Sequence, residues 1–231
     1  MLKPFRRDAL SRQATKMSLM RPMVVAVSLL ATLAASPNAR AQDPPPRIGP
    51  IVLDLRGSII NLPDSVAASR GLNPAEVPNR GLGLEAAFHT YVYKLAAVTF
   101  GLGGELLYNH AHGSPASTPD NTLHPVTSNL VSVAPQLSLN FGTGDGWSYI
   151  SGGWGATRWS LVPDGASAQA ADEAWVSTLD YGGGARWFMK PHLAFHFDVR
   201  FRSISAGAAG PTLPGTPRVN LFVIGVGASF K

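Results

Sequence analysis

From Leu193 to Arg202 the chain reads Leu-Ala-Phe-His-Phe-Asp-Val-Arg-Phe-Arg, so that after Ala194 every even position is ionisable and every odd one large and apolar. Such alternation means a β-strand. Successive side chains of a strand point to opposite faces, which puts Phe195, Phe197, Val199 and Phe201 on one side and His196, Asp198, Arg200 and Arg202 on the other. Two faces this different need two different surroundings. In a water-soluble sandwich the apolar row meets a core and the charged row meets water; in a membrane barrel the apolar row meets lipid and the charges meet the lumen.

The beginning of the chain bears on that choice. Lys3, Arg6, Arg7, Arg12, Lys16 and Arg21 precede an apolar run from Met23 to Ala35, and Ala39-Arg40-Ala41 follows. This predicts a secretory signal peptide over 1–41, with an apolar run too short for a membrane helix and a small-residue cleavage site after Ala41. Residues 42–50, with Pro44-Pro45-Pro46, are read as a short periplasmic segment, and 51–231 as the folded domain. The leader holds seven of the 19 basic residues and one of the 14 acidic ones, leaving 12 against 13 in the mature chain. The basic balance therefore belongs to the leader and implies no nucleic-acid partner. With no cysteine, the chain has no disulfide framework and no thiolate nucleophile. No later run reaches the roughly 18 apolar residues of a membrane helix, so any membrane crossing is by strands.

Eight strands are predicted: Ile51–Ile60, Gly81–Val92, Val98–Asn109, Ser128–Phe141, Trp147–Ser160, Val176–Lys190, Leu193–Ile204 and Arg218–Phe230. Each is longer than the roughly five or six residues of an ordinary globular strand and long enough to cross a bilayer when tilted. Pro135 lies inside the fourth and has no N–H for the ladder, which predicts a bulge there. The connections Asn61–Arg80, His110–Thr127, Leu161–Trp175 and Ser205–Pro217 are long. Those at Tyr93–Ala97, Gly142–Gly146 and Lys190–His192 are short. This strict alternation suits a barrel whose termini and tight turns face the periplasm while its long loops face outward.

The fold class is thus all-β, an eight-stranded antiparallel up-and-down transmembrane β-barrel. Its polar faces gather Asp54, Glu85, Glu105, Asp180 and Asp198 with Arg56, Arg158, Arg186, Arg200, Arg202 and His196 as a lumen charge network. The bore of so small a barrel is just wide enough for side chains, so these charges must pair or stay hydrated. The face assignment in the fifth strand is the least regular, with Trp147, Tyr149 and Trp159 set outward as interfacial aromatics and Ile150, Trp154 and Arg158 inward. Tyr108, Tyr181 and Trp187 join the outward aromatics. A lipocalin-like soluble barrel would invert the pattern, with an apolar cavity inside and charges in water.

Two stretches resemble the small OmpA/OmpX-type outer-membrane barrel domains. One is Tyr181-Gly182-Gly183-Gly184-Ala185-Arg186-Trp187-Phe188, continuing through Lys190-Pro191-His192 into Leu193–Arg202. The other is the C-terminal segment, in which Phe222, Ile224, Gly225, Val226 and Phe230 are similar to the family's assembly signal, although Lys231 follows the aromatic. The resemblance implies export to the outer membrane of a Gram-negative-type bacterium, with outer-membrane lipid and lipopolysaccharide as surroundings. Barrel-assembly machinery and periplasmic chaperones are the implied partners in biogenesis, and a monomer is the implied state. The implied role is non-enzymatic: envelope structure, or surface interaction through the long loops. The family also contains a few lipid-modifying enzymes, so a lipid A-modifying barrel is the alternative.

Candidate chemistry is sparse. His196 and Asp198 share a face and form the acid-imidazole pair that orients a nucleophile in hydrolases. No Ser or Cys is marked as that nucleophile, and the better reading is an interior hydrogen-bond network. His110, His112 and His124 have a spacing compatible with a metal, yet no carboxylate or cysteine cluster accompanies them, and they are read as solvated. Asp164, Asp172 and Glu173 make the third long loop acidic. Neither cofactor nor catalytic residue is expected, and no phosphate-binding or dinucleotide motif occurs.

Overall fold

A computed structural model describes residues 48–117 and 122–231, so the signal peptide read over 1–41 lies outside the described residues, as do residues 42–47. Eight strands follow in order: β1 (Ile51–Asn61), β2 (Arg80–Leu95), β3 (Val98–Gly113), β4 (Val126–Thr143), β5 (Gly146–Pro163), β6 (Trp175–Lys190), β7 (Leu193–Ile204) and β8 (Val219–Phe230). Each pairs antiparallel with its sequence neighbours, and β1 pairs with β8. The ladder therefore closes into a barrel with no free edge.

Turns of two residues join β2 to β3, β4 to β5 and β6 to β7, so all three lie at one end of the barrel. Ala96, in the first of these, has φ 51°, the positive φ that primed hairpin turns require. The long connections occupy the other end. The first folds into a 3-10 helix, Asp64–Arg70, closed by Gly71 in the left-handed conformation, and a second short turn, Pro74–Glu76.

Burial alternates along the strands as the period-two pattern requires. In β1 it is strict: Ile51, Leu53, Leu55 and Ile59 are exposed, while Val52, Asp54, Arg56 and Ser58 are buried. In β7 the Phe row points outward, and His196, Asp198, Arg200 and Arg202 are sealed inside.

Strand β5 corrects the expected faces. Trp147, Tyr149 and Trp159 point into the barrel, and Ile150, Trp154 and Arg158 point out of it. The inward rings fill the bore, where the Trp159 indole N–H donates to Ser128 Oγ at 2.9 Å and the Tyr149 hydroxyl joins the charged centre. An aromatic ring with a polar tip suits an interior that is apolar at its ends and polar at its middle.

The bulge expected at Pro135 is also absent. The register of β4 against β3 and β5 runs without a shift, and only the pairs between Val133↔Ala156 and Gln136↔Gly153 are missing. The ladder is interrupted rather than displaced. Gly153 and Gly155 of β5 make this possible, because any Cβ there would collide with the carbonyl oxygens of Pro135 and Val133. The actual register shifts fall at Tyr91/Tyr93 and at Phe188/Lys190, next to the turns.

Candidate functional site

The bore has three zones, set by which inward residues each level supplies. At the turn end, Val52 of β1, Trp147 of β5 and Ile48 ahead of β1 form an apolar cluster with Tyr91 and Phe188. Trp147 meets Tyr91 edge-on at 5.9 Å and stacks on Phe188 at 5.1 Å between centroids. The Lys231 ammonium lies 3.8 Å over the Phe188 ring.

The middle zone is ionic. Arg186 on β6 grips Asp54 on β1 with two nitrogens, at 3.0 and 2.5 Å, and Ser229 Oγ donates to the same carboxylate at 2.5 Å. One step nearer the loops, Arg56 lies 2.7 Å from Glu85, 2.5 Å from Glu105 and 3.4 Å from Asp198. Glu105 also pairs closely with Arg202 and lies 3.5 Å from Arg200. Asp180 takes Arg200 in a short contact and Arg202 at 2.7 Å. Every one of these side chains is at most 1 % exposed, so each charge depends on protein partners for the hydration it has lost.

Arg158 is not among them: it is exposed on the outer wall, and its guanidinium lies 5.9 Å from the Trp175 ring centroid. The reason is the one-residue parity of β5, which sends Arg158 outward once Trp159 points in. The interior gathering is therefore five carboxylates with four arginines, together with His89 and His196 beside Asp54 at 3.7 and 3.3 Å.

His196 and Asp198 are brought together through a residue the pattern had set outside. Tyr149 Oη is 2.8 Å from His196 Nε2 and donates to Asp198 in a short hydrogen bond. The order Asp54, His196, Tyr149, Asp198 has the form of an acid-imidazole-hydroxyl relay. Yet His196 is 0 % exposed, and the Tyr149 hydroxyl is already committed to Asp198.

At the loop end the interior becomes apolar. Leu107, Leu130, Leu161, Ile204, Leu221 and Trp159 line it, and Val66 and Ala67 of the first connection's 3-10 helix pack among them. Arg70, at the end of that helix, fixes this plug. Its Nε donates to Asp172 Oδ1 at 2.6 Å, and its other nitrogens reach Ser69 Oγ, Thr216 Oγ1 and the carbonyls of Trp159 and Ala171 at 2.9 to 3.0 Å. The Asp172 carboxylate also accepts the backbone N–H groups of Leu161 and Gln169. Asp172, expected in a free acidic loop, is thus a buried anchor, and together with Arg70 it ties the first, third and fourth long connections to one another. The partners lie about a hundred residues apart, and no local pattern marks them.

The loop histidines are distributed rather than clustered. His110 and His112 lie on β3, hydrogen-bonded to Asn129 and Thr127 at 2.8 and 3.2 Å. His124 lies against Glu76, which accepts the His124 backbone N–H at 2.8 Å and the Asn73 N–H at 2.7 Å. No group of three or more metal-ligating side chains occurs among the described residues. The assembly-signal residues lie on β8, which closes the barrel against β1. Ile224, Val226 and Phe230 are exposed outside, Phe222 is half-buried, and Gly225 faces inward against the Arg56 stem.

Glu76 makes the first two long connections pH-sensitive. Burial raises its carboxyl, but the hydrogen bonds from His124 and Asn73 outweigh that and hold it below the ordinary glutamate range. A lowered folded-state value means that the tie is fully present above the ordinary range and is lost as pH falls through the lowered one. Hydrogen exchange of residues 62–79 is expected to accelerate only on the acid side of the ordinary glutamate range. A Glu76→Gln variant is expected to exchange fast at every pH, and an unchanged wild-type rate under acid conditions would contradict the tie.

No protein-family model and no curated protein sequence matches the chain. Among solved structures, the barrel is similar to small eight-stranded outer-membrane barrels of the OmpA/OmpX type, the class that the sequence resembles. Neisserial surface protein A has a TM-score of 0.47 and 11 % identity, over 79 % of this chain and 97 % of that one. The outer membrane protein OprG from Pseudomonas aeruginosa has a TM-score of 0.47 and 11 % identity, over 80 % and 97 %. The attachment invasion locus protein of Yersinia pestis has a TM-score of 0.43 and 11 % identity, over 78 % and 96 %.

Proposed function

We propose that this protein is a monomeric, non-enzymatic outer-membrane β-barrel. It serves envelope structure or presents its long loops at the cell surface, and its bore is closed. One observation carries the membrane reading. A closed ladder exposes large apolar side chains outside on all eight strands, Leu82 at 72 %, Trp154 at 72 %, Met189 at 69 % and Leu137 at 65 % among them, while the carboxylates and arginines of the middle lie inside. In water such a surface promotes aggregation; in lipid it is the stable arrangement, and the closed ladder satisfies every strand edge. A lipocalin-like barrel requires the opposite polarity.

The closed bore follows from the three zones: aromatic cluster at one mouth, paired charges in the middle, and the Arg70-anchored apolar plug at the other. The non-enzymatic part is supported by the confinement of the His196, Tyr149 and Asp198 group. Lipid and lipopolysaccharide are then the protein's surroundings, and assembly machinery and chaperones its partners only during biogenesis.

Two measurements test the proposal. The protein is expected to fractionate with outer membranes, to need detergent for extraction, and to migrate differently on gels before and after boiling. Recovery as a detergent-free soluble monomer would overturn the membrane reading. In planar bilayers it is expected to show no stable porin-sized conductance, and such a conductance would overturn the closed bore.

A further inference from the structure

The outward turn of Arg158 leaves a cation on the outer wall, and its neighbours are not those of a random surface arginine. Register places Tyr108, Val131, Arg158 and Trp175 side by side across β3 to β6, with His110, Asn129 and Ser160 in the next row toward the loops. Below this level the outer faces of the same strands are mostly apolar, with Leu106, Val133, Trp154 and Leu179, and with Ser177 accepting a hydrogen bond from the Trp154 indole. Arg158 therefore stands where the apolar belt gives way to polar side chains, the depth of lipid headgroups when the barrel is in a membrane. At that depth an outward arginine is tolerated at little cost.

A groove of about 380 Å³ opens here, between the wall and the third long connection, with Arg158, Asn129, Ser160, Tyr108 and Glu173 in its lining. Its size falls within the roughly 300–1,000 Å³ of small-molecule sites. Among the described residues Arg158 makes no ion pair, so its guanidinium fork is free for an anion. Asn129 Oδ1 is already taken by the Tyr108 hydroxyl at 3.2 Å and His110 Nδ1 at 2.8 Å, which turns its amide N–H groups toward other acceptors. Asp172, although it lines the groove, is neutralised by Arg70. Glu173 remains as an acceptor, and the half-exposed ring of Tyr108 offers a flat apolar face.

The geometry points to a headgroup site for a phosphorylated glycolipid of the outer leaflet, with phosphate on Arg158 and sugar hydroxyls on Asn129, Ser160 and Glu173. The planar guanidinium matches phosphate geometry with two parallel donors. The aromatic face, amide, hydroxyl and carboxylate suit a sugar ring better than a phosphoglycerol or phosphoethanolamine group. This inference rests on the membrane reading above.

The test is lipid retention by the full mature protein in phosphatidylcholine nanodiscs, measured by native mass spectrometry. Diphosphoryl lipid A, its dephosphorylated form and phosphatidylglycerol are offered in turn. Wild type is expected to retain diphosphoryl lipid A at least about ten-fold more than either alternative, and Arg158→Gln to lose that preference. Arg80→Gln removes another exposed arginine, opposite Asn61 at the rim, and is expected to keep it. Heat-modifiable migration confirms that each variant is folded. Equal retention of the three lipids by wild type, or equal loss in both variants, would overturn the site and leave the membrane barrel standing. Failure of wild type to enter nanodiscs would overturn both.

Discussion

Arg186→Met is expected to destabilise the barrel by about 3–5 kcal/mol, the usual effect of removing one partner from a buried ion pair. Asp54 is 0 % exposed, and among the described residues Arg186 is its only arginine, with Ser229, His196 and His89 beside it. The interior already holds one carboxylate more than it has arginines, so the substitution leaves five acids with three guanidinium groups. Methionine retains most of the aliphatic stem and loses the guanidinium, whose carbon lies 4.2 Å from the Tyr149 ring centroid. The effect therefore reports charge rather than a cavity. Asp54→Asn combined with Arg186→Met is expected to recover most of the loss, because neither member then remains an unpaired charge. Urea unfolding in lipid vesicles, followed by tryptophan fluorescence, gives both values. A loss below about 1 kcal/mol in the single variant, or no recovery in the double, would show that the pair does not hold the centre of the bore.

How much of this was legible in the sequence depends on whether a residue's neighbours along the strand settle its face. Where apolar and ionisable residues alternate, as in β1 and β7, period two alone sends Phe197 out and Asp198 in, and the chain has no other way to satisfy both. In β5 the polar partners of the pattern are Ser148, Ser151, Gly152 and Gly153, which fit either face, and tryptophan and tyrosine fit a membrane boundary as well as a filled bore. The parity of β5 is decided instead by what is across the barrel: Asp198 and His196 for Tyr149, Ser128 for Trp159. Those partners are in the sequence, but their distance is set only by closure. The same holds for Arg70 and Asp172, and for the change from charged to apolar lining near the loops. Leu107, Leu130 and Leu221 can face inward there only because Val66 and Ala67 arrive from a connection that carries no strand pattern.

The consequence for the three zones is that they contribute differently to one closed structure. The charged middle gives little net stability over an apolar filling of equal volume, since desolvation offsets most of the attraction. What it supplies is parity: a one-residue slip of β7 would carry His196, Asp198, Arg200 and Arg202 to the outer wall and four large apolar side chains into the charged centre. The aromatic and aliphatic ends supply the packing, and the closed ladder supplies the backbone hydrogen bonds that a membrane interior cannot.

That division predicts a position dependence on the outer wall. Phe197→Arg, near the middle of β7 and paired with Ala185 and Val226, is expected to lower stability in lipid vesicles by about 2–4 kcal/mol, the penalty for arginine at the bilayer midplane of a barrel. Asn61→Arg at the end of β1, beside Arg80, is expected to change it by no more than about 1 kcal/mol, because depth rather than the substitution itself sets the penalty. Both positions face outward and neither touches the charged centre, so each keeps the interior intact. The contrast separates the two surroundings open to the β7 strand. If its Phe row faces lipid, the two variants differ by a factor of about five or more in the unfolding equilibrium; if that row faced water, arginine would be tolerated equally at both. Equal, small effects at Phe197 and Asn61, measured by urea unfolding from the same vesicles, would therefore remove the membrane assignment along with the prediction.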